Sequence, residues 1–275
     1  MRDLLTSSVV AAALLAAAAS GADGRGLHDP SQNAMLLADM VQNNPGDRVV
    51  AWQGSKYTNA YKLKELNFTT RVTTGELSPF LAVDFHTIVP GGLWPAGSPA
   101  RAWVDTMAAG VRRHAAQAHA ANVSFIPFVD MIVLPKALVD RFAKDILSPS
   151  GSIMYNNVTQ MLLSAMLNET FAAFDLDGIL IRTGETYVFD TPYHVGNSPV
   201  EGVPGDKQTA VWVAWLDHLR EIACVGKNKI VIQRAWDSFG GWSGDPAVYE
   251  AITGPVEPHQ LLYFSVKVSS GDFFR

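Results

Sequence analysis

Short apolar runs alternate along the chain with longer stretches in which apolar residues recur every three or four positions. The short runs are rich in β-branched residues and nearly continuous in apolar character, which is typical of strands covered on both faces. Residues 71–74 could form one more strand. The six principal strands are predicted over residues 49–52, 81–85, 124–129, 178–182, 230–234 and 261–267.

The longer stretches carry the signals of helix starts and ends. Ser98 and Pro99 suit the N-cap and the first helical position, and apolar residues follow at spacings of four from Trp103 to Ala115. Gly226 is placed to end a later helix. The other helices are predicted from Pro135, over about 157–174, over the stretch that holds 211–222, and from Pro246 to Gly254. This alternation of strand and helix predicts a parallel sheet built from βαβ units.

Two α/β architectures fit this order, a closed (β/α)8 barrel and an open doubly wound sheet. Residues 53–57 after the first strand read Gln-Gly-Ser-Lys-Tyr, which is neither a dinucleotide nor a phosphate-binding turn. The strands end in varied polar residues, which favours the barrel. Because the strands start about 42 residues apart, eight of them would need roughly 85 more residues. The sequence therefore predicts a barrel domain over residues 23–275 that is incomplete at its C-terminus.

The amino-acid composition excludes several classes of protein. The chain has 48% hydrophobic and 17% charged residues and a formal net charge of -5, which excludes a disordered tail, a collagen-like fibre and a coiled coil. No cluster of five basic residues exists, so no nucleic-acid partner is expected. Cys224 is the only cysteine and is expected to be buried on a helix. No cofactor is predicted, and Asp84-Phe85-His86 alone is too weak a pattern for a metal site.

Residues 1–22 have the anatomy of a secretory signal peptide. Arg2 precedes an apolar stretch over 9–19, and small residues at Ser20 and Ala22 suit a cleavage site. The apolar stretch is too short for a stable membrane anchor; an uncleaved anchor or a plastid transit peptide is the alternative. Four Asn-x-Ser/Thr sequons then fit a secreted glycoprotein. The sequon asparagines are Asn67, Asn157, Asn168 and Asn122, of which the last is least expected to be modified because it precedes a buried strand.

In a barrel the site forms at the carboxyl ends of the strands. Glu185 follows a buried strand that ends at Arg182, and Gly184 lets the chain turn there. Glu185 could therefore act over the barrel mouth, with Arg182 setting its charge, or it could cap the next turn or pair with Arg182 structurally. Asp84 and Asp130 each close a strand. Either could be a second catalytic carboxylate, a ligand for substrate hydroxyls, or a charge at a helix N-terminus.

Aromatic residues are dense in the predicted βα loops. Their flat faces suit sugar rings, although loop packing is the simpler interpretation for each of them. His194 is a loop candidate beside Tyr193. The residues predicted to bind substrate are Arg182, Tyr187, His194, Arg234, Trp236, Asp237 and Lys267.

The sequence resembles a group of secreted glycoside-hydrolase-like barrel proteins, which are loosely similar to α-glucuronidases. The resemblance is carried by residues 174–187, which read FDLDGILIRTGETY, by 190–194, which read DTPYH, and by shorter matches at 129–136 and 267–275. It covers most of residues 45–275. It implies a (β/α)8 barrel that acts on carbohydrate, with Glu185 as the candidate acid/base. Longer members of the group continue past the Asp-Phe-aromatic-Arg segment with another strand that carries a Glu.

Three functions remain open from the sequence. The first is a secreted glycoside hydrolase, in which one protonated and one ionised carboxyl group flank the glycosidic oxygen. Glu185 would then be the acid/base, and its partner would be Asp84, Asp130 or a residue outside this sequence. The second is a catalytically inactive or truncated glycan-binding barrel, which would lack the facing carboxyl pair. The third is a non-glycosidic barrel hydrolase or lyase, which a cluster of converging His and Asp side chains would favour.

Overall fold

A computed structural model describes residues 38–39, 59–72, 78–182, 191–235, 242 and 244–266. Strands and helices alternate through this part of the chain, as the apolar pattern predicts. The strands are β1 (Ala38–Asp39), β2 (Thr70–Arg71), β3 (Ser124–Phe125), β4 (Phe128–Asp130), β5 (Val133–Pro135), β6 (Gly178–Arg182), β7 (His194–Gly196), β8 (Ile230–Ala235) and β9 (Leu262–Val266). The α-helices are α1 (Ala60–Glu65), α2 (Pro99–Ala120), α3 (Lys136–Arg141), α4 (Ala143–Ile146), α5 (Asn157–Ala173), α6 (Gly205–Leu219) and α7 (Pro246–Thr253).

The main sheet is parallel and consists of two ladders, in the orders β1-β2-β3 and β4-β6-β8-β9. The ladders meet in the segment 124–130. There the Ile126 N–H donates to the Arg71 carbonyl and the Leu180 N–H donates to the Pro127 carbonyl, each at 3.0 Å. The predicted α/β fold with a parallel sheet is therefore confirmed. Among the described residues no pairing joins β1 to β9, so closure into a (β/α)8 barrel and a missing C-terminal part stay predictions.

Most of the predicted strands that can be compared lie where the sequence places them. The strand over 178–182 is β6, the strand over 230–234 is β8 with one residue more, and the extra strand near 71 is β2. The strand over 124–129 divides into β3 and β4 at Ile126 and Pro127, because proline has no N–H to donate to a ladder. The strand predicted over 49–52 lies outside the described residues.

The strand predicted over 81–85 is wrong. Pro79–Ala82 forms a 3-10 turn, and Phe85 has a positive φ of 53°. The chain turns because the carboxylate of Asp84 accepts hydrogen bonds from the backbone N–H groups of Leu93 and Trp94. The apolar run reflects burial, since Pro79–Ala82 and Phe85 are buried, and burial alone does not specify extended backbone.

The predicted helix starts are correct at three positions. The side chains of Ser98, Asn156 and Asp245 accept hydrogen bonds from the first N–H groups of α2, α5 and α7, respectively. The helix predicted from Pro135 is divided into α3 and α4 at Phe142. The sequence analysis did not predict α1, the small strands β5 and β7, or the π-helical segment Arg220–Val225 that follows α6.

Three turns that lead from a helix to a strand contain an asparagine with a positive φ. Asn67, Asn122 and Asn228 have φ values of 62°, 54° and 54° and precede β2, β3 and β8. Asparagine adopts this left-handed conformation more readily than other residues with a side chain. Gly226, which the sequence places as the terminating residue of α6, instead has a helical φ of −74°. Asn228 makes the turn in its place.

Both faces of the main sheet are apolar. On one face the register aligns Phe128, Leu180, Ile232 and Tyr263 in a single row across β4, β6, β8 and β9. On the other face, residues such as Ile181 pack against α5 and α6 in the largest hydrophobic cluster. This two-sided burial explains why the strands read as continuous apolar runs.

Asp177 fastens the amino ends of the strands. Its Oδ2 atom accepts a hydrogen bond from the Phe125 N–H at 2.7 Å and lies 2.8 Å from Nε2 of His119, in the last turn of α2. Burial raises the pKa of Asp177, but the hydrogen bonds from His119 and Phe125 and the nearby positive charges outweigh burial. The pKa therefore lies below its ordinary value, so the ionised form stabilises the fold.

Asp177 should make the stability of the protein depend on acid pH. Its contribution is present above the unfolded-state pKa near 3.8 and is lost as the pH falls through the lower folded-state value. We expect Asp177→Asn to reduce the free energy of unfolding at pH 7 by about 1–3 kcal/mol and to flatten its decline below pH 4. Urea unfolding between pH 2 and 7 measures both effects. Asp175→Asn is the control, because that side chain also contacts His119 but is 63% exposed; an equal effect of both variants would contradict the assignment.

Candidate active site at the carboxyl ends of the strands

A row of polar side chains crosses the carboxyl end of the sheet. Asp130 pairs with Arg182, and Arg234 pairs with Ser265. Since Ile181 pairs with Gln233, the next residues along, Arg182 and Arg234, are also neighbours. These four residues lie on the same face as the Phe128 row and two positions further along each strand. The structure therefore brings together three residues predicted from the sequence: Asp130, Arg182 and Arg234.

The centre of the polar row is a buried ion pair. Arg182 donates from Nε to Oδ1 of Asp130 at 2.6 Å and from Nη2 to Oδ2 at 2.8 Å. The side chains are only 1% and 5% exposed. Such bidentate pairs are strong and fix orientation, and the adjacent guanidinium favours the ionised form of a carboxyl group. Asp130 is therefore suited to act as a fixed negative charge.

Phe128 supports two guanidinium groups. The Cζ atom of Arg182 lies 4.9 Å from the centre of the Phe128 ring, and that of Arg234 lies 5.9 Å from it. These distances are those of cation–π contacts. Among the described residues, the polar row thus carries two cations and one carboxylate.

Asp84 does not belong to the polar row. Its Oδ1 atom accepts hydrogen bonds from the Leu93 N–H at 2.9 Å and the Trp94 N–H at 3.2 Å, and its Oδ2 atom accepts one from Nη1 of Arg101 at 2.7 Å. Gly92 packs on the same carboxylate, because a Cβ at that position would lie 2.6 Å from Oδ2. These contacts give Asp84 a structural role in closing the turn between residues 84 and 94.

Five of the predicted site residues follow the ends of β6, β8 and β9 in the sequence. Within the sequence Glu185 follows Arg182 by three positions, Trp236 follows the last residue of β8, and Lys267 follows the last residue of β9. The predictions that lie outside the described residues are those for Glu185, Tyr187, Trp236, Asp237 and Lys267.

An antiparallel strap crosses the segment that follows Asp130. The strap consists of β7 and Asn197, and it pairs with residues 132–135, including β5. The Ile132 N–H donates to the Asn197 carbonyl at 2.6 Å, and the Asn197 side chain binds both the N–H and the carbonyl of Ile153. The sequence analysis missed Asn197, since three-residue strands far apart in the chain leave no periodic pattern.

His194 lies on the strap, inside a group of aromatic rings. Its ring centre is 5.6 Å from those of both Trp94 and Trp103, and Tyr193 contacts the same two tryptophans. His194 is 1% exposed. Burial, with the nearby charge of Lys136, lowers the pKa of His194 to about 3. We call these four rings, Trp94, Trp103, Tyr193 and His194, the aromatic box.

The sequons differ in their surroundings. Asn67, Asn122 and Asn157 are exposed, whereas Asn168 is half-buried on α5. The sequon threonines of Asn157 and Asn168, Thr159 and Thr170, are both buried. The exposure of Asn122 removes the reason for ranking it last, because the side chain points out of the turn that precedes β3.

Cys224 is buried, as predicted. Among the described residues no group of three His, Cys, Asp or Glu side chains could hold a metal ion. Within the same ranges, no helix is both long and apolar enough to cross a membrane.

No protein-family model and no curated protein matches the sequence. Among solved structures the fold is similar to a noncanonic maltogenic alpha-amylase from Thermotoga neapolitana, with a TM-score of 0.40 and 14% identity over 78% of this chain and 46% of that chain. For Dispersin B the TM-score is 0.40 with 10% identity over 83% and 63%. For a mutant beta-hexosaminidase of Streptomyces plicatus in complex with product it is 0.41 with 14% identity over 78% and 39%. The chain covers less than two thirds of each of these proteins, and likeness at this level carries no argument about its activity.

Removal of one partner of the Asp130–Arg182 ion pair should lower the free energy of unfolding more than replacement of both partners by apolar residues. Arg182→Met leaves the Asp130 carboxylate buried without its guanidinium, so the free energy of unfolding should fall by about 3–5 kcal/mol. Combining Arg182→Met with Asp130→Leu should recover much of that loss. Urea unfolding of both single variants and the double variant measures the coupling.

Lys62→Met is the control for this measurement, since the Lys62–Glu65 pair is exposed and should contribute about 1 kcal/mol or less. Strictly additive single-variant effects at Asp130 and Arg182 would contradict the ion pair.

Proposed function

We propose that this chain is a glycoside hydrolase-like protein that acts on carbohydrate through carboxyl groups at the carboxyl edge of its sheet. The observation that carries the proposal is the polar row, in which Arg182 holds Asp130 in a fixed orientation. Polar side chains gathered at the carboxyl ends of parallel strands are the usual setting for catalysis in such folds.

Within this proposal the two carboxyl groups have different tasks. Hydrolysis needs one protonated and one ionised carboxyl group. Asp130 takes the ionised role, because it is held by the guanidinium of Arg182. Glu185 takes the acid role, since it follows β6 by three residues. Asp84 is not assigned to either role, because it lies in the turn between residues 84 and 94 and not at the end of a strand of the polar row.

A second candidate is a glycan-binding protein without hydrolytic activity. One observation favours it: both oxygens of the buried Asp130 carboxylate accept hydrogen bonds from Arg182. A binding protein would use the same polar row to hold a sugar, without a second carboxyl group to protonate the leaving oxygen.

Assays on an aryl-glycoside panel that includes glucuronides test the catalytic proposal. Glu185→Gln should lower the rate by about 10²–10⁴-fold, because it removes a proton donor while it keeps the shape. Asp84→Asn is the control and should keep the rate while it lowers stability. Wild-type turnover in Glu185→Gln would contradict the catalytic role. Binding of oligosaccharide without any hydrolysis by the wild-type chain would favour the second candidate.

The proposal includes passage through the secretory pathway. Its support is the charged start, apolar stretch and small residues of 1–22, together with three exposed sequon asparagines. Protein secreted from eukaryotic cells should begin after Ala22, and peptides with Asn67, Asn122 and Asn157 should carry N-glycans in higher occupancy than the peptide with Asn168. N-terminal sequencing and glycopeptide mass spectrometry measure this; an N-terminus at Met1 would contradict the cleavage.

A further inference from the structure

His194 has no hydrogen-bond partner for either ring nitrogen among the described residues. A buried polar atom left without a partner destabilises the folded state, and native structures contain few such atoms. The strap does not need a histidine at this position, since its backbone pairs with β5 and Asn197 ties it to Ile153. A phenylalanine would fill the same space without the two unpaired nitrogens, so packing alone does not account for the imidazole.

The rings around His194 differ in exposure. Trp94 is buried, and its Nε1–H donates to the Val83 carbonyl at 2.9 Å. Trp103 and Tyr193 are half-exposed, and their ring centres are 5.7 Å apart. The aromatic box therefore has one fixed wall and two rings that reach the surface.

We propose that the aromatic box is a carbohydrate-binding site formed by residues other than those of the polar row, in which His194 bonds hydroxyl groups of the ligand and Trp103 and Tyr193 contact the C–H faces of its rings. A neutral imidazole offers one N–H donor and one nitrogen acceptor, and a hydroxyl group can pair with either. Aromatic faces combined with a few convergent polar groups suit a sugar ring. This inference rests on the proposed function, since it names a second place where the same class of ligand is held.

The low pKa of His194, about 3, keeps the ring neutral at ordinary pH. The site therefore selects for hydroxyl groups and not for an anion. Both ring nitrogens are covered in this structure, so a ligand reaches them only when Tyr193 or Trp103 turns aside. Binding should then change the fluorescence of the tryptophans in the aromatic box.

The decisive variant is His194→Phe. The substitution keeps the ring shape and removes two nitrogens without partners, so the free energy of unfolding should stay equal or rise. Affinity for an oligosaccharide should fall at least tenfold. The measurement uses the full chain with Glu185→Gln, which blocks the proposed hydrolysis, and follows tryptophan fluorescence and calorimetry with neutral gluco-, xylo- and mannohexaose.

His218→Phe is the matched control. His218 is half-buried, and its nitrogens lie 3.1 Å from the Tyr155 hydroxyl and 2.8 Å from the Ser164 hydroxyl. That variant should lose stability and keep its affinity, which is the opposite pattern.

Unchanged affinity in His194→Phe would overturn the proposal, and so would the absence of binding to all three hexasaccharides. If binding depends on His194 but the wild-type chain hydrolyses no glycoside, the catalytic proposal would be refuted and the binding role of the aromatic box would stand. If hydrolysis depends on Glu185 but the affinity for oligosaccharide is the same with and without His194, the binding role of the aromatic box would be refuted and the catalytic proposal would stand.

Discussion

The buried ion pair between Asp130 and Arg182 is the interaction on which the candidate site depends. Two charges removed from water are tolerated when they meet in good geometry, and this geometry needs a single register between β4 and β6. Asp177 holds that register at the opposite end of β6. Gly178 restrains the packing of β6 against β8, because a Cβ there would lie 2.2 Å from the Ile230 carbonyl oxygen. The amino ends of the strands therefore decide how the charges meet at the carboxyl ends.

The sequence predicts those elements whose local pattern and tertiary surroundings agree. Strand β6 is apolar at each position because both faces are covered, and its limits are found correctly. The run over 81–85 is equally apolar, but the hydrogen bonds of the Asp84 carboxylate bend it into a turn. Strands β5 and β7 pair over some sixty residues of sequence, and a pairing of three residues leaves no signal in either segment. The spacing of apolar residues along the chain does not reveal pairing between distant segments or hydrogen bonds made by side chains, so these features could not be predicted from it.

The site residues divide in the same way. Asp130, Arg182 and Arg234 could be predicted together, because parallel strands deliver their carboxyl ends to one edge. Asp84 has the same sequence signature, but its two oxygens accept hydrogen bonds from the turn between residues 84 and 94 and from Arg101. Trp103 belongs to the apolar stripe of a helix in the sequence, and only the strap brings His194 against it.

The parallel direction of the strands gives the protein two unlike poles. The left-handed asparagine turns and Asp177 lie at the amino pole, whereas the polar row and the strap lie at the carboxyl pole. Substitutions at distant positions that share no contacts have nearly additive effects. In evolutionary terms the two poles are separate targets of selection: a lineage can rework the loops that meet a ligand while the turns that guide folding stay unchanged, so ligand preference can diverge faster than architecture.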